Sequence, residues 1–352
     1  MLSTPASGPV RVGLIGYGLA GRVFHAPFIA ANPALELSLI ATADPARARQ
    51  AGAAHPGARV VPRPEEVIGA DVDLVVIASP VSVHCEQAGA ALAAGHSVVI
   101  DKPFVPTVAE GRQLIAQADA AGLALIVFHN RRWDGDFLTV RSLVETGRLG
   151  AVHRFESAFE RWSGPVRDRW QDRLGPEQGA GIAYDLGSHL VDQALQLFGP
   201  AEVELAEFGR VRAGAASEDD AFIALRHTSG TLSHLSMSHV AGVPGPRFRV
   251  LGSAGAYRCF GLDPQEAQLA AGLRPGEPGY GVVAEDDWGT LGSGADTARL
   301  RTEPGDYSAF YAGVARTVRE GAPASVDARE ALEVVRIIER AHEVARIRST
   351  VA

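Results

Sequence analysis

Asp185 and His189 stand four residues apart in the segment Tyr184-Asp185-Leu186-Gly187-Ser188-His189. On a helix that spacing projects both side chains from one face. A carboxylate beside an imidazole orients the ring and makes it more basic, which suits general-base work near neutral pH. The same residues also fit a plainer reading, a capping aspartate and a hydrogen-bonded core histidine. Asp192 is close in sequence, but no second histidine or cysteine falls at ligand spacing, so no metal is expected. Lys102 is the other candidate, in Asp101-Lys102-Pro103 directly after the apolar run 97–100. Ligands of open α/β sheets bind outside the carboxyl ends of strands, so a lysine there can face a reacting group. Taken alone, a strand-end lysine is more often a solvated charge. Ser79, Pro80 and His84 follow a similar run, 73–78.

The strongest motif is Gly16-Tyr17-Gly18-Leu19-Ala20-Gly21, a G-x-G-x-x-G placed after the run 10–15 and before a helical stretch. Its first glycine permits the tight turn, its second lets a pyrophosphate approach the backbone, and its third lets helix pack on strand. The helix N-terminus then offers free N–H groups and a positive dipole end to phosphate. Asp44 ends the second strand, where a carboxylate accepts hydrogen bonds from the adenosine ribose and repels a 2′-phosphate. NAD is therefore expected over NADP, with Arg47 and Arg49 leaving a 2′-phosphate contact open. Asp44 is followed by Pro45 and also reads as a helix N-cap, a role compatible with the first.

These residues need a scaffold, and the patterning predicts one. Runs 10–15, 35–43, 59–61, 73–78, 97–100 and 124–128 are expected strands, several of them continuous Val/Ile/Leu as in a parallel sheet covered on both faces. Helical stretches separate them, with a capping box at Thr107–Glu110 and glycines at 95 and 122 where helices end. Strand–helix–strand repetition predicts a doubly wound dinucleotide-binding domain over residues 1–129. Residues 130–352 have another texture. Asp136 is expected to cap a helix running to about 146. Period-two runs at 152–159, 203–211, 221–226, 231–238, 247–251 and 256–260 predict a mostly antiparallel sheet. A helix is expected from about 184 to 198, an irregular excursion from 272 to 294, and a last helix after Asp327. That helix carries the stripe Val334, Ile338, Ala341 and Ala345, and can pack back on the first domain.

The chain has 352 residues, 46% hydrophobic and 21% charged, enough for two cores. A net charge of -8 argues against nucleic acid or an anionic membrane as partner. The first residues lack a basic-then-apolar signal, and no apolar run reaches membrane-spanning length. Cys85 and Cys259 read as two buried small hydrophobes in a reducing cytoplasm.

In combination, the glycine loop, Pro80 with His84, Asp101-Lys102-Pro103 and Asp185-x-x-x-His189 resemble the glucose–fructose oxidoreductase/inositol dehydrogenase (Gfo/Idh/MocA) family. His129-Asn130-Arg131-Arg132-Trp133-Asp134, Tyr184 to His189 and Gly261 to Glu266 are similar to its bacterial scyllo-inositol dehydrogenase-like branch. The resemblance implies a Rossmann domain and a C-terminal α/β domain whose open-faced, mostly antiparallel sheet serves dimer or tetramer assembly. It makes Lys102, Asp185 and His189 the catalytic set. Asn130 and Arg131 go to the cofactor side, while Trp133, Arg161 and Trp170 are expected at the substrate. Two departures stand out: Asp101 replaces the family's glutamate before the lysine, and Ala43-Asp44 replaces the Ser-Arg of the NADP-linked inositol enzyme. The expected reaction is reversible hydride transfer between a nicotinamide and a secondary alcohol of a sugar or cyclitol. Alternatives are reduction of another small carbonyl compound, or a catalytically silent NAD(P)-binding regulator.

Overall fold

The computed structural model describes residues 8–166 and 174–349. They form two compact units. One comprises the chain up to Asn130 with 266–278 and 307–332; the other comprises Arg131–Gln265, Gly279–Asp306 and residues from Glu333 on.

In the first unit β1 (Val10–Ile15), β2 (Leu35–Ala41), β3 (Arg59–Val61), β4 (Leu74–Ile77), β5 (Ser97–Asp101) and β6 (Leu125–Phe128) pair in the order β3-β2-β1-β4-β5-β6. Every pairing is parallel. All of β4 and β6 is buried, which is why these strands read as unbroken apolar runs. Helices between them are punctuated as their sequences dictate. Asp44 caps α2 (Pro45–Ala54), accepting from the Ala46 and Arg47 amides, and the Thr107–Glu110 capping box opens the helix Val108–Ala121. Because all six strands run one way, the loops after β1, β2, β4, β5 and β6 share a single edge.

The second unit is built on a nine-stranded sheet. Its strands are β7 (Val152–Glu160), β8 (Ala201–Arg210), β9 (Asp220–His227), β10 (Leu232–Ser238), β11 (Phe248–Gly252), β12 (Ala256–Cys259), β13 (Gly289–Ser293), β14 (Asp296–Leu300) and β15 (Arg346–Ser349). The order is β14-β13-β12-β11-β7-β10-β9-β8-β15, antiparallel except where β10 meets β7 and β15 meets β8. Alternate residues such as Phe155, Ile223, Leu235 and Val250 enter one core with Leu190 and Val191 of the helix Ser188–Phe198. Val334, Ile338 and Ala341 of the last helix, Ala328–Val344, belong to the same core.

Two expectations are corrected here. The excursion 272–294 is not irregular throughout, since β13 and β14 make a hairpin that extends the sheet. β13 is mostly half-buried and β14 mostly exposed, and the two carry few large apolar residues, so period-two patterning is faint. Asp136 does not cap the helix Gly135–Glu145; it lies in the first turn, buried, near Arg247. The cap comes from afar, from the Asp263 Oδ2 that accepts the Gly135 amide at 2.7 Å. Among the described residues no helix is long and apolar enough to cross a membrane.

Candidate active site

The rim of the parallel sheet assembles most of the residues expected to meet a cofactor. Gly16 has φ +97, and a Cβ there would meet the Ala78 carbonyl at 2.6 Å; one on Gly21 would meet the Gly16 carbonyl at 2.0 Å. Neither position admits a side chain. At Gly18 a Cβ would have only the Arg47 Nη1 within reach, at 3.8 Å, so the middle of the loop is open where a pyrophosphate needs backbone access. Leu19 is exposed, and the Tyr17 ring is buried edge-on against His55. Burial, moderated by Arg22 and Arg274, raises the Tyr17 hydroxyl pKa, so this ring packs as a neutral group. The loop's Ala20 precedes a π-turn, Gly21–His25, that leads into α1 (Ala26–Ala31), where Pro27 supplies no N–H.

From Ala78 the rim continues through a buried histidine. His84 Nε2 lies 2.9 Å from the Ser79 carbonyl, and its Nδ1 lies 3.1 and 3.2 Å from those of Pro103 and Phe104. The Ser79 hydroxyl donates to Gln87. Sequence placed His84 among cofactor ligands; its ring is 1% exposed and staples the segment after β4 to the segment after β5. Pro80 is the N-cap of the short turn that leads to His84. Asp101 Oδ1 accepts the Lys102 amide at 2.8 Å, holding the chain as it leaves β5. At the far side Asp44 caps α2 through Oδ1 alone, while its Oδ2 lies 3.7 Å from the Arg47 Nε. The two amides hold the Asp44 carboxyl below its usual range.

In the second unit Asp185 sits in a π-turn, Ala183–Gly187, continued by the helix from Ser188. Glu218 anchors this start, its Oε1 accepting the Ala183 amide and its carbonyl the Ile182 amide. Asp185 Oδ2 is 3.7 Å from Nη2 of Arg161, whose Nε donates to His239. The buried His189 ring stacks on Phe159, with centroids 6.5 Å apart and planes 21° apart. Arg131 lies over the same phenyl ring at 4.8 Å and pairs with Asp134. Arg131 was expected beside a cofactor, whereas the fold buries it in this cluster; Asn130, its neighbour, is buried as the last residue of the first unit's opening segment. Asp192 is engaged with Arg132 through two short contacts, 2.9 and 2.7 Å. Trp133 is half-buried, its carbonyl accepting from the Asp306 amide and Gln265 Nε2. Trp170 lies outside the described residues.

Sequence reading missed His25 and Tyr311 beside Asp101, and Glu218 and Phe159 around Asp185 and His189. The hint for His25 was its place on the helix that follows the glycine loop. The others carry no local signal.

Comparison with known proteins adds an independent line. A model described as "Oxidoreductase family, NAD-binding Rossmann fold" matches residues 10–129, and "Oxidoreductase family, C-terminal alpha/beta domain" matches 141–352. The chain is 40% identical over 345 residues to the uncharacterized oxidoreductase YdgJ of Escherichia coli (strain K12), covering 97% of this chain and 98% of that protein. It is 34% identical to the scyllo-inositol 2-dehydrogenase (NADP(+)) IolW of Bacillus subtilis (strain 168), covering 97% and 95%. Among solved structures, the oxidoreductase YvaA of Bacillus subtilis superposes with a TM-score of 0.89 at 33% identity, covering 96% of each chain.

Proposed function

This chain belongs to the Gfo/Idh/MocA oxidoreductase family, and from that membership we propose that it transfers a hydride between NAD and a secondary alcohol or carbonyl of a sugar or inositol-like cyclitol. The observation that carries the reading is the continuous rim in the first unit. It runs from the open glycine loop through Ala78, Ser79 and His84 to the segment that presents Lys102. A dinucleotide held at one end of that rim extends toward the other. Gly16, Gly18 and Gly21, with Asp44, would hold the cofactor, which when bound supplies the hydride acceptor or donor. Asp44 supports NAD: its carboxylate stays ionised and keeps one oxygen outside the helix cap.

In the oxidising direction the substrate hydroxyl must lose its proton as hydride departs from the same carbon. His189 takes that proton in this reading, with Asp185 orienting the ring or the substrate. The Lys102 ammonium hydrogen-bonds the reacting oxygen and stabilises its developing negative charge. Reduction runs the same roles backward, with His189 returning the proton. Arg161 and Trp133 are assigned to the substrate, Arg161 on the strength of its contact with Asp185. The relative named for scyllo-inositol makes cyclitols the first class to try. We place the reaction in the cytoplasm, and the assembly as a homo-dimer or homo-tetramer through the second unit's sheet.

The test is a spectrophotometric screen for NADH and NADPH formation over inositols and aldoses, and for their consumption by the corresponding keto compounds and lactones. Oxidation of at least one polyol is expected. Lys102→Ala and His189→Ala should each lower turnover by about a hundredfold or more, with NADH binding retained. Turnover within tenfold of wild type in either variant would falsify that residue's assignment.

A further inference from the structure

A fully buried imidazole lies behind Lys102. His25 comes from the π-turn after the glycine loop and has 0% exposure. Its ring lies 4.3 Å from that of Phe128 at the end of β6. Its Nδ1 is 2.6 Å from the hydroxyl of Tyr311, which comes from the helix Ser308–Glu320. Its Nε2 has no hydrogen-bond partner, and the carboxylate oxygen Oδ2 of Asp101 stands 3.8 Å away. The other Asp101 oxygen holds the Lys102 amide. All of these residues belong to the first unit.

The protonation pattern follows from the partners. Burial and the nearby Asp101 charge raise the Tyr311 hydroxyl pKa well above its ordinary value, so that group stays protonated and donates to Nδ1. The imidazole proton is then on Nε2, the ring nitrogen nearer the carboxylate at 3.8 Å, the arrangement that a buried anion favours. The other titratable groups facing Asp101 are Lys102, from its own segment, and His84, from the helix His84–Ala93. Burial depresses the His84 pKa, while its three carbonyl neighbours work the other way.

We propose that His25 is a positioning residue for the reaction: with its tautomer set by Tyr311, it holds the Asp101 carboxylate and, through it, the backbone of Lys102. This rests on the reading of Lys102 given above. The role has a pH signature. Burial works against the Asp101 charge, yet His25 and Lys102 keep the carboxyl below its ordinary range. Without the His25 N–H, burial dominates and Asp101 takes a proton at a higher pH.

The experiment uses the full chain in two arms. In the first, nitrogen NMR of 15N-histidine-labelled protein is expected to find His25 with its proton on Nε2. Tyr311→Phe should weaken that preference, and Asp101→Asn should shift the Nε2 resonance. A wild-type Nδ1–H tautomer, or indifference to both substitutions, overturns the proposal without needing a substrate. In the second arm, scyllo-inositol oxidation is followed against pH. His25→Asn, which cannot reach Asp101, should lower kcat about tenfold with KM within about threefold, and should move the acid limb up by about half a unit. His25→Gln, which can place an N–H near the Nε2 position, should recover most of the loss. Equal impairment of the two variants with an unmoved acid limb overturns the proposal. Lys102→Ala run alongside separates the failures: an active Lys102→Ala enzyme sinks the reading of Lys102, whereas an inactive one with unaffected His25 variants sinks only the role of His25.

Discussion

At the scale of single residues, cofactor choice turns on Asp44 and its neighbour Arg47. Asp44 serves as the α2 cap through one oxygen, and the other faces Arg47 across 3.7 Å. A negative charge there disfavours a 2′-phosphate, while the guanidinium beside it would attract one. Asp44→Ser keeps a capping oxygen and removes the charge. The ratio of NADPH to NADH affinity, read by nicotinamide fluorescence titration, should therefore rise about tenfold, the size of one charged contact. An unchanged ratio would show that Asp44 acts only as a cap. The cap was legible in the sequence because it depends on Asp44 and the residues directly after it, and the proposed ribose contact uses the same local position.

The helices show what local patterning misses. Gly135–Glu145 begins one residue before Asp136, and its first amide is held by Asp263, 128 positions along the chain. Burial and the neighbouring Asp136 push the Asp263 carboxyl up to about 6, against the pull of the Gly135 and Gln265 amides. Its ordinary value is 3.8, so between that pH and about 6 the folded protein binds a proton that the unfolded chain has released. Stability from this group is therefore present in acid and is lost as pH rises through that window, by roughly 3 kcal/mol at the upper limit. Urea unfolding at pH 4.5, 5.5 and 7 should show that decline, and Asp263→Asn should flatten it; an unaltered slope in the variant would refute it. No reading of residues near 136 could have supplied this cap. The π-turn that carries Asp185 has the same character, since its anchor Glu218 is distant in sequence.

For the whole molecule, the property to test is assembly. The core side of the nine-stranded sheet holds residues such as Ile223 and Leu235. Its other face carries half-buried residues, among them Phe222, Leu232 and His234, with Phe222 and His234 rings 5.8 Å apart. If that face joins subunits as proposed, light scattering should find a dimer or tetramer, and Phe222→Glu should shift it toward monomer. A monomeric wild-type protein at micromolar concentration would refute the assembly.

The parallel sheet, the glycine loop and the caps at Asp44 and Thr107 were legible in the sequence because each depends on residues a few positions apart, whose periodicity and turn chemistry are local. The hairpin β13–β14 and the edge strand β15 were not, because sheet edges are completed by backbone pairing, which few apolar side chains announce. The site divides the same way. Gly16, Gly18, Gly21 and Asp44 stood out by type and spacing, whereas Lys102, Asp185 and His189 took their proposed roles from the family resemblance. Only packing decided that His84 would staple two loops, that Arg131 would lie over Phe159, and that His25 would meet Tyr311 from 286 positions away. A buried polar group takes whichever partner the fold brings to it, and that partner leaves no periodic trace in the chain.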